Sequence, residues 1–364
     1  MLSFHPLKVA SIDRIAEDAV CMSLAIPPSL REFMDFEAGQ YVTVRRVIGG
    51  REERRTYSIV TPPGNCALRL GVRAQVDGRM SQELATRLQP GDVLEVGAPI
   101  GRFRTSVDPK RTRSYVAFAA GSGITPVLSL ATHILAREPK SRFTLIYGNR
   151  SMARTMFLEE TLSLKNRNLG RFAVHFVMSR EPQQTALLNG RIDAAKVQEF
   201  ARHMPDITAA DEYFVCGPGR MVDEVREILK QLNPDAPVRI ERFVANGASP
   251  PSANAARPSP GAEAEKRVQP VLAMISIMMD GRRRSFPMSA DDESVLVAGE
   301  RAGLDLPFSC RSGICATCRA RIVAGEAVMA HNIALQPWEI DAGFVLCCQA
   351  RPTTATLDLS YDEK

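Results

Sequence analysis

The 364-residue sequence has no long hydrophobic run. No stretch approaches the roughly 18 uninterrupted apolar residues that a membrane helix needs, so we expect no membrane partner. The first residues, MLSFHPLKVASIDRIAED, have no apolar signal-peptide core. We therefore expect a cytoplasmic protein with reduced thiols. Its eight cysteines are then better interpreted as ligands, catalytic groups or buried apolar side chains than as a set of disulfides.

The sequence also lacks the residue patterns of hydrolases and of nucleic-acid-binding proteins. Its five histidines have no metal-ligand spacing, and no Ser/His/Asp or paired-carboxylate arrangement stands out. The formal net charge is only +5, which permits docking to an acidic protein but does not indicate nucleic-acid binding. A hydrophobic content of 45% over this length predicts two or three ordinary globular domains.

One segment, residues 246–270, interrupts the globular composition. It is rich in Ala, Pro and Ser and holds almost no large apolar side chain, so it cannot build a core. We interpret it as a flexible linker with a reach of about 25–30 Å. With a change of pattern near Asp108, it divides the chain into domains at 1–108, 109–245 and 271–364.

Each domain has its own pattern. The first has short β runs broken by turn residues, with a hairpin at Gly49-Gly50, and predicts an antiparallel barrel or sandwich. The second alternates strands with helices and predicts a parallel sheet with helices on both faces. The third begins with a hairpin at Asp280-Gly281, followed by a short helix from an Asp292 cap to Gly303.

The most specific motif is CRSGICATC, in which Cys310, Cys315 and Cys318 have the C-x4-C-x2-C spacing of a plant-type 2Fe–2S site. A fourth ligand must come from the adjacent Cys347 and Cys348, of which only one can face the cluster because side chains alternate along an extended segment. A zinc site is the alternative, but it usually needs a second CxxC-like pair.

A glycine loop follows a buried strand in the second domain and opens a helix. Gly121 and Gly123 allow a nucleotide phosphate to approach the backbone, and we expect Thr125 as the N-cap and Pro126 at the first helical position. A plain tight turn is the alternative.

A second loop, Cys216-Gly217-Pro218-Gly219, repeats this design before a helix at Met221–Leu232. Two such loops at the carboxyl ends of strands in one sheet predict a nucleotide site.

Two segments of the first domain could hold a phosphate and a ring. Arg55 and Tyr57 share one face of a strand, next to Ser58. Gly78 and Ser81 belong to a turn that could bind an anion and lead into a helix. Taken singly, these segments could equally be an exposed strand and an ordinary loop.

Taken together and in this order, the motifs resemble the ferredoxin–NADP reductase superfamily with a plant-type ferredoxin fused at the C-terminus. The segments AAGSGITPVLSLA, CGPGRMVDE, CRSGICATC and GFVLCCQA carry this likeness, which covers essentially the whole chain except the linker. It implies an antiparallel β-barrel FAD domain, an α/β parallel-sheet NADP domain and an α+β, β-grasp 2Fe–2S ferredoxin domain.

The resemblance also implies roles for the residues of the flavin site. Arg55 binds an FAD phosphate, Tyr57 lies against the isoalloxazine, and Ser58 lies near flavin N5. Gly78 and Ser81 hold the FAD pyrophosphate.

Further implied roles concern hydride transfer and the cluster. Gly121, Gly123, Thr125 and Pro126 match the nicotinamide-nucleotide loop of the family. Cys216 lies near the nicotinamide, and Glu241 and Phe243 are placed against the flavin. Related ferredoxins place the fourth ligand in a Val-Leu-x-Cys pattern, with 29 residues between it and the third ligand, which here selects Cys348.

The choice between NADPH and NADH depends on three residues. Ser179 and Arg180 follow a strand where NADP-linked members carry a similar pair for the 2′-phosphate, and Arg150 could assist because a guanidinium suits phosphate. An NADH-binding protein would more often have an acidic residue there. We therefore expect NADPH, although both arginines could be solvated strand-end charges.

The implied function is electron transfer from NADPH through FAD and the 2Fe–2S cluster to an oxygenase component. The partner that the resemblance favours is a di-iron epoxidase acting on phenylacetyl-CoA. The alternatives are a Rieske dioxygenase or a steroid hydroxylase, a non-enzymatic metal-binding sensor, and a diaphorase without a dedicated partner.

Overall fold

The computed structural model describes residues 3–243 and 271–363, and these form two compact units, residues 4–243 and residues 271–363. The predicted linker at 246–270 lies outside the described residues. Within the described ranges, no helix has the length and apolarity needed to cross a membrane.

The first part of unit 4–243 is an antiparallel barrel. Its strands are β1 (Phe4–Ala16), β2 (Ala19–Ala25), β3 (Tyr41–Ile48), β4 (Arg51–Ser58), β5 (Ala67–Arg73) and β6 (Val93–Gly97). They pair in the order β4-β3-β6-β1-β2-β5, and a bridge between Ile59 and Leu70 joins the two outer strands. The predicted hairpin is present, because Gly49 and Gly50 have φ values of 58° and 73°. Helix α1 (Arg79–Thr86) follows β5.

The second part of the same unit is a parallel sheet with helices on both faces, which confirms the predicted α/β class. Its strands are β7 (Ser114–Ala120), β8 (Arg142–Asn149), β9 (Phe172–Met178), β10 (Glu212–Pro218) and β11 (Val238–Phe243). Its helices are α2 (Ile124–Arg137), α3 (Leu158–Arg167), α4 (Ala194–His203) and α5 (Gly219–Leu232). The strand order is β11-β10-β7-β8-β9. From β7 the chain adds β8 and β9 on one side of the sheet and then β10 and β11 on the other, so the loops that follow β7 and β10 are neighbours.

The barrel and the parallel sheet meet in a common hydrophobic cluster. Barrel residues Cys21, Val60 and Phe103 pack in the same cluster as Phe214 of β10 and the apolar face of α2. Phe103 and Phe214 meet edge to face, with ring centroids 5.7 Å apart. Burial of this common surface fixes the barrel against the sheet.

Unit 271–363 is a mixed sheet with one main helix packed on it. Its elements are β12 (Val271–Met279), β13 (Arg282–Ser289), α6 (Val295–Arg301), β14 (Arg319–Ala324), β15 (Ala327–Met329), α7 (Pro337–Asp341), β16 (Phe344–Leu346), β17 (Ala350–Pro352) and β18 (Thr356–Ser360). The main sheet has the order β13-β12-β18-β14-β16, with β12 and β18 parallel, and β15 pairs with β17. The Asp280-Gly281 turn has φ values of 53° and 68°, as the hairpin prediction requires.

Two helix starts differ from the predictions. Ser294, not Asp292, caps α6, because the Ser294 hydroxyl accepts the Val297 N–H whereas Asp292 accepts the Ser289 N–H and pairs with Arg301. Helix α5 begins at Gly219 with Pro218 as its N-cap, two residues before the predicted start.

The start of α2 also differs from its prediction. Residues 121–123 form a 3-10 turn that continues into the helix, so Gly123 is the N-cap. Thr125 and Pro126 are then the second and third residues of α2. The Thr125 hydroxyl donates to the Ser122 carbonyl instead of capping the helix.

Candidate functional site

The predicted flavin residues lie at the end of β4. Arg55 and Tyr57 pair with Val44 and Val42 of β3 and therefore share a face. The Tyr57 ring packs against the barrel core, and burial raises the pKa of its hydroxyl, which keeps it neutral. Ser58, the last residue of β4, is buried. The arrangement offers a cation, an aromatic face and a hydroxyl in sequence.

The predicted anion-binding turn is the start of α1. Gly78 is the N-cap and has no side chain to satisfy the first-turn N–H groups, which leaves them available for phosphate oxygens. The Ser81 hydroxyl is already used, since it accepts the Gln75 N–H at 3.1 Å and donates to the Gly78 carbonyl at 3.0 Å. Ser81 therefore shapes the turn, and the first-turn backbone N–H groups are the donors that remain for an anion.

Sequence reasoning missed a link between these two segments. Arg79, the first residue of α1, lies 3.6 Å from Glu53, and Arg55 lies 3.2 Å from the same carboxylate. Arg79 also donates to the Ile48 carbonyl. The only signal in the sequence was the place of Arg79 inside the GRMS turn. Glu53 thus pairs with two arginines at the end of the barrel where the flavin residues are predicted.

The two glycine loops of the parallel sheet touch through their backbones. A Cβ atom added to Gly123 would lie 2.2 Å from the Cys216 carbonyl oxygen, and one added to Gly217 would lie 3.2 Å from the Ala120 Cβ. Gly121 has φ +56°, in the left-handed region. The structure therefore brings these loops together at the switch point of the sheet, where open α/β sheets bind nucleotides.

Cys216 and Glu241 are opposite each other on β10 and β11. Cys216 is fully buried, and burial followed by the Glu241 charge raises the pKa of its thiol. Burial raises the pKa of Glu241 to about 8, and its Oε2 atom has no hydrogen-bond partner among the described residues. Phe243, two residues later, packs half-buried against the common hydrophobic cluster. The site therefore contains an uncharged thiol beside a carboxyl that retains its proton at neutral pH.

The predicted 2′-phosphate residues lie at the ends of β8 and β9. The Arg180 N–H donates to the Arg150 carbonyl, and the Ser179 N–H donates to the Asn149 carbonyl. Burial and the nearby charges of Arg180, Arg154 and Arg73 lower the pKa of Arg150. The acidic Glu181 is engaged, because its Oε2 accepts the Met152 N–H at 2.8 Å. Arg73 and Arg154 are paired with Asp18, so the uncompensated positive charge in this corner comes from Arg150 and Arg180.

The four predicted cluster ligands lie close together as two thiol pairs. Cys310 contacts Cys315, and Cys318 contacts Cys348. Cys347, in contrast, is fully buried in the domain core and contacts Tyr361. Since a 2Fe–2S cluster needs four thiolates around two irons, two pairs fit that group. No group of three or more donors for a single metal ion occurs among residues 3–243 and 271–363.

Backbone N–H groups surround the first of these sulfurs. The N–H groups of Ser312, Ile314 and Cys315 each donate to Cys310 Sγ at 3.4 Å. The Cys315 thiol and these N–H groups lower the pKa of Cys310 to about 5, against the opposing effect of burial. The loop is thus built to hold a thiolate. It depends on Gly313, where a Cβ would lie 2.7 Å from the His331 carbonyl.

Cys347 and Cys348 do not lie on an extended segment, although the sequence analysis predicted one there. Residues 347–349 form a turn between β16 and β17, in which the Gln349 N–H donates to the Leu346 carbonyl. Gln349, which sequence reasoning missed, donates to the Arg311 carbonyl at 2.9 Å and lies 3.7 Å from Cys348 Sγ. Turn geometry, not strand alternation, separates the two thiols.

Fold and site together define a pyridine-nucleotide-dependent flavoprotein oxidoreductase with a plant-type 2Fe–2S domain. Three family models match the chain in the corresponding places. They are the oxidoreductase FAD-binding domain at residues 6–105, the oxidoreductase NAD-binding domain at 118–227 and the 2Fe-2S iron-sulfur cluster binding domain at 277–353.

Full-length relatives identify the family. A component of the 1,2-phenylacetyl-CoA epoxidase of Escherichia coli is 37% identical over 100% of this chain and 99% of its own length. The ferredoxin reductase component of 3-ketosteroid-9-alpha-monooxygenase from Mycobacterium tuberculosis is 31% identical, over 98% of this chain and 96% of its own. The chain belongs to the family of this epoxidase component. It is an NAD(P)H-dependent oxidoreductase with FAD and a 2Fe–2S cluster as cofactors.

Solved structures agree with this architecture. Phthalate dioxygenase reductase is 26% identical and superposes with a TM-score of 0.59, with 98% of each chain covered. An intact type IV self-sufficient cytochrome P450 monooxygenase matches with a TM-score of 0.67 at 21% identity, covering 98% of this chain and 41% of its own, which shows a common fold.

Proposed function

We propose that this protein is the reductase component of an oxygenase and delivers electrons from NADPH to a di-iron epoxidase that acts on phenylacetyl-CoA. The observation that carries the proposal is the 37% identity to a phenylacetyl-CoA epoxidase component over the whole length of both chains. Relatives that serve a ketosteroid monooxygenase reach 31%. Bound FAD accepts two electrons as hydride and releases them singly, to a cluster that takes one electron at a time.

The barrel residues hold FAD in this proposal. Arg55 would neutralise a phosphate of bound FAD, the neutral Tyr57 ring would support the isoalloxazine, and the buried Ser58 hydroxyl would serve the N5 side of the flavin. The N–H groups that follow Gly78 bind the pyrophosphate, in a turn shaped by Ser81. The support is that Glu53 pairs both with Arg55 of β4 and with Arg79 of α1, which brings the strand and the turn together at one end of the barrel.

The sheet residues hold the nucleotide and the reacting atoms. Gly121, Gly123, Thr125 and Pro126 of the first loop, with Gly217 and Pro218 of the second, cradle the nicotinamide nucleotide. Cys216 presents an uncharged thiol to the nicotinamide because burial keeps it protonated. The Glu241 carboxyl would hold a proton on the flavin side of the site, since burial raises its pKa to about 8, and Phe243 would cover the bound flavin.

NADPH is the proposed donor because Arg150, Ser179 and Arg180 form a cationic corner in which Glu181 is engaged with backbone. Steady-state kcat/KM for NADPH and NADH tests this. We expect Arg180→Gln to lower kcat/KM for NADPH while leaving that for NADH unchanged. Equal losses for both nucleotides would contradict a 2′-phosphate role.

The four thiols of Cys310, Cys315, Cys318 and Cys348 are the proposed cluster ligands.

We further propose domain boundaries at 1–108, 109–245 and 271–364 with a linker at 246–270, and a cytoplasmic location. Limited proteolysis with mass spectrometry tests the boundaries: cuts are expected in 246–270 and not inside the barrel or the sheet. Cell fractionation tests the location.

Reconstitution tests the partner. The reductase is mixed with NADPH and either the purified phenylacetyl-CoA epoxidase complex or a ketosteroid 9α-monooxygenase, and the oxidised product is quantified by mass spectrometry. We expect NADPH-dependent product with the epoxidase. The second candidate, a reductase for a steroid hydroxylase or a Rieske dioxygenase, is favoured by the four ketosteroid-monooxygenase relatives that match 98% of the chain. Turnover with the steroid enzyme alone would overturn the epoxidase assignment.

A further inference from the structure

Residues 152–157, between β8 and α3, form a strap that is bound to the barrel. The Ala153 carbonyl accepts the Glu17 N–H at 2.9 Å, in the turn between β1 and β2. The Arg154 carbonyl accepts a hydrogen bond from Arg73 of β5 at 2.6 Å. The strap therefore belongs to the sheet domain by sequence but is held by the β1–β2 turn and the adjacent end of β5 in the barrel.

Phe157, the last residue of the strap, is wedged against β5. Its φ of 55° is unusual for a bulky residue, and it is 2% exposed. A Cβ added to Gly71 of β5 would lie 2.7 Å from the Phe157 ring and 2.9 Å from the Thr125 methyl. Arg69, which binds Glu160 through two hydrogen bonds, lies over the ring at 6.0 Å. Gly71 thus provides the notch in which the ring and the first turn of α2 meet the barrel.

The same strap is bound to the nucleotide side of the site through Tyr147. This fully buried tyrosine of β8 places its hydroxyl 2.9 Å from the Gly121 carbonyl and 3.2 Å from the Met156 carbonyl. Both carbonyl oxygens can only accept a hydrogen bond. The single proton of the Tyr147 hydroxyl is therefore shared between the glycine loop and the strap. At the other end of the strap, the Met152 N–H donates to Glu181.

We propose that the strap and the Tyr147 hydroxyl set the position of the nicotinamide loop relative to the flavin barrel. Tyr147 is then a positioning residue, since it acts on the reacting atoms only through Gly121. The inference rests on the proposed role of the Gly121 loop in binding the nucleotide. Misplacement of reacting groups by about 1 Å can slow a reaction by about a hundredfold, so a small shift of this loop would be measurable.

The variant Tyr147→Phe tests the proposal in the full-length protein loaded with both cofactors. It retains the ring and removes the shared proton. Anaerobic stopped-flow mixing with NADPH gives the rate constant of flavin reduction at saturation and the apparent Kd of the nucleotide. We expect the rate constant to fall roughly ten- to a hundredfold. Flavin content, cluster content and reduction of both cofactors by dithionite should stay as in the wild type.

Tyr213→Phe is the matched control. Tyr213 is an equally buried tyrosine of the same sheet, and its hydroxyl also donates to a backbone carbonyl, that of Ile207, away from both glycine loops. We expect Tm to fall similarly in the two tyrosine variants, with hydride transfer slowed only in Tyr147→Phe. An equal rate of flavin reduction in Tyr147→Phe and the wild type would overturn the inference.

Gly71→Ala provides an independent variant, because it disturbs the strap from the barrel side. We expect it to slow flavin reduction as well. In the double variant we expect a rate no lower than that of the slower single variant, since both changes displace the same nicotinamide loop, Tyr147→Phe through the Gly121 carbonyl and Gly71→Ala through Phe157 and Thr125. Multiplied effects would contradict a common pathway. If the wild type itself shows no flavin reduction by NADPH or NADH, the proposed function fails, an outcome distinct from failure of the strap alone.

Discussion

At the scale of single residues, Cys347 and Cys348 differ in what their sulfurs contact. Cys348 meets Cys318, whereas Cys347 is buried in the core beside Tyr361. We expect Cys348→Ala to lose the cluster and Cys347→Ala to retain it. Iron and acid-labile sulfide analysis together with visible absorbance checks this. A cluster that survives in Cys348→Ala and disappears in Cys347→Ala would reverse the assignment.

Glu241 should make the stability of unit 4–243 depend on pH. Burial raises its folded-state pKa from 4.5 to about 8, so the folded state binds the proton more tightly than the unfolded state. Its contribution to stability is therefore complete below about pH 4.5 and is lost as pH rises through 8.

The variant Glu241→Gln should remove this part of the pH dependence. Thermal unfolding of wild type and variant at several pH values between 5 and 9 is the measurement. We expect the wild type to lose stability relative to the variant as pH rises. Parallel pH profiles for the two proteins would show that the carboxyl is ionised or solvated in the folded state.

At the scale of elements, the contact between the two glycine loops leaves no room for a side chain. In Gly123→Ala the new Cβ would approach a backbone oxygen that cannot rotate away, so we expect a loss of about 1–3 kcal/mol in stability and weaker nucleotide binding. Gly219→Ala is the control, since the nearest atom would be 4.0 Å away. Urea unfolding measures the stability of the two variants, and NADPH titration measures their nucleotide affinity. Equal stability and equal affinity in Gly123→Ala and Gly219→Ala would argue against a tight contact between the loops.

A buried ion pair joins α7 to the strand that follows the third cluster ligand. Arg319 lies 2.6 Å from Glu339, which is fully buried, whereas Arg321 on the same strand pairs with the exposed Glu363. We expect Arg319→Gln to destabilise unit 271–363 by about 3 kcal/mol, because the buried Glu339 carboxylate keeps its bond from the Gln336 N–H but loses the positive charge that compensates it. Arg321→Gln should cost at most about 1 kcal/mol. The loss of cluster absorbance on heating measures the stability of both variants. Similar losses of stability in the two variants would show that Glu339 finds another partner.

Local signals in the sequence predicted some elements well and others poorly. The Gly49-Gly50 and Asp280-Gly281 hairpins were predictable because these dipeptides adopt the positive φ values that tight hairpins need. The cap at Asp292 was wrong because its carboxylate found a tertiary partner in Arg301, which sequence spacing does not reveal. The same limit hid the Tyr147 bonds, which depend on residues brought together only by folding. The turn at 347–349 is local, but its residues include none of the Gly, Pro, Asn or Asp that signal a turn.

At the scale of the whole molecule, the sequence indicated the order of domains, and the family models match in that order. It did not reveal that barrel and parallel sheet form one unit with a common hydrophobic cluster. That rigidity suits hydride transfer, which needs a fixed distance between nicotinamide and flavin. A common cluster is a property of packing between distant segments, so composition and periodicity carry no signal for it.

Anaerobic titration of the purified protein with NADPH, followed by visible absorbance, tests the central claim most directly. The claim is that one chain conducts electrons from NADPH through FAD to a 2Fe–2S cluster. We predict that the flavin and cluster bands bleach together and return on exposure to air. A flavin that bleaches beside an absent or unresponsive cluster band would contradict this route.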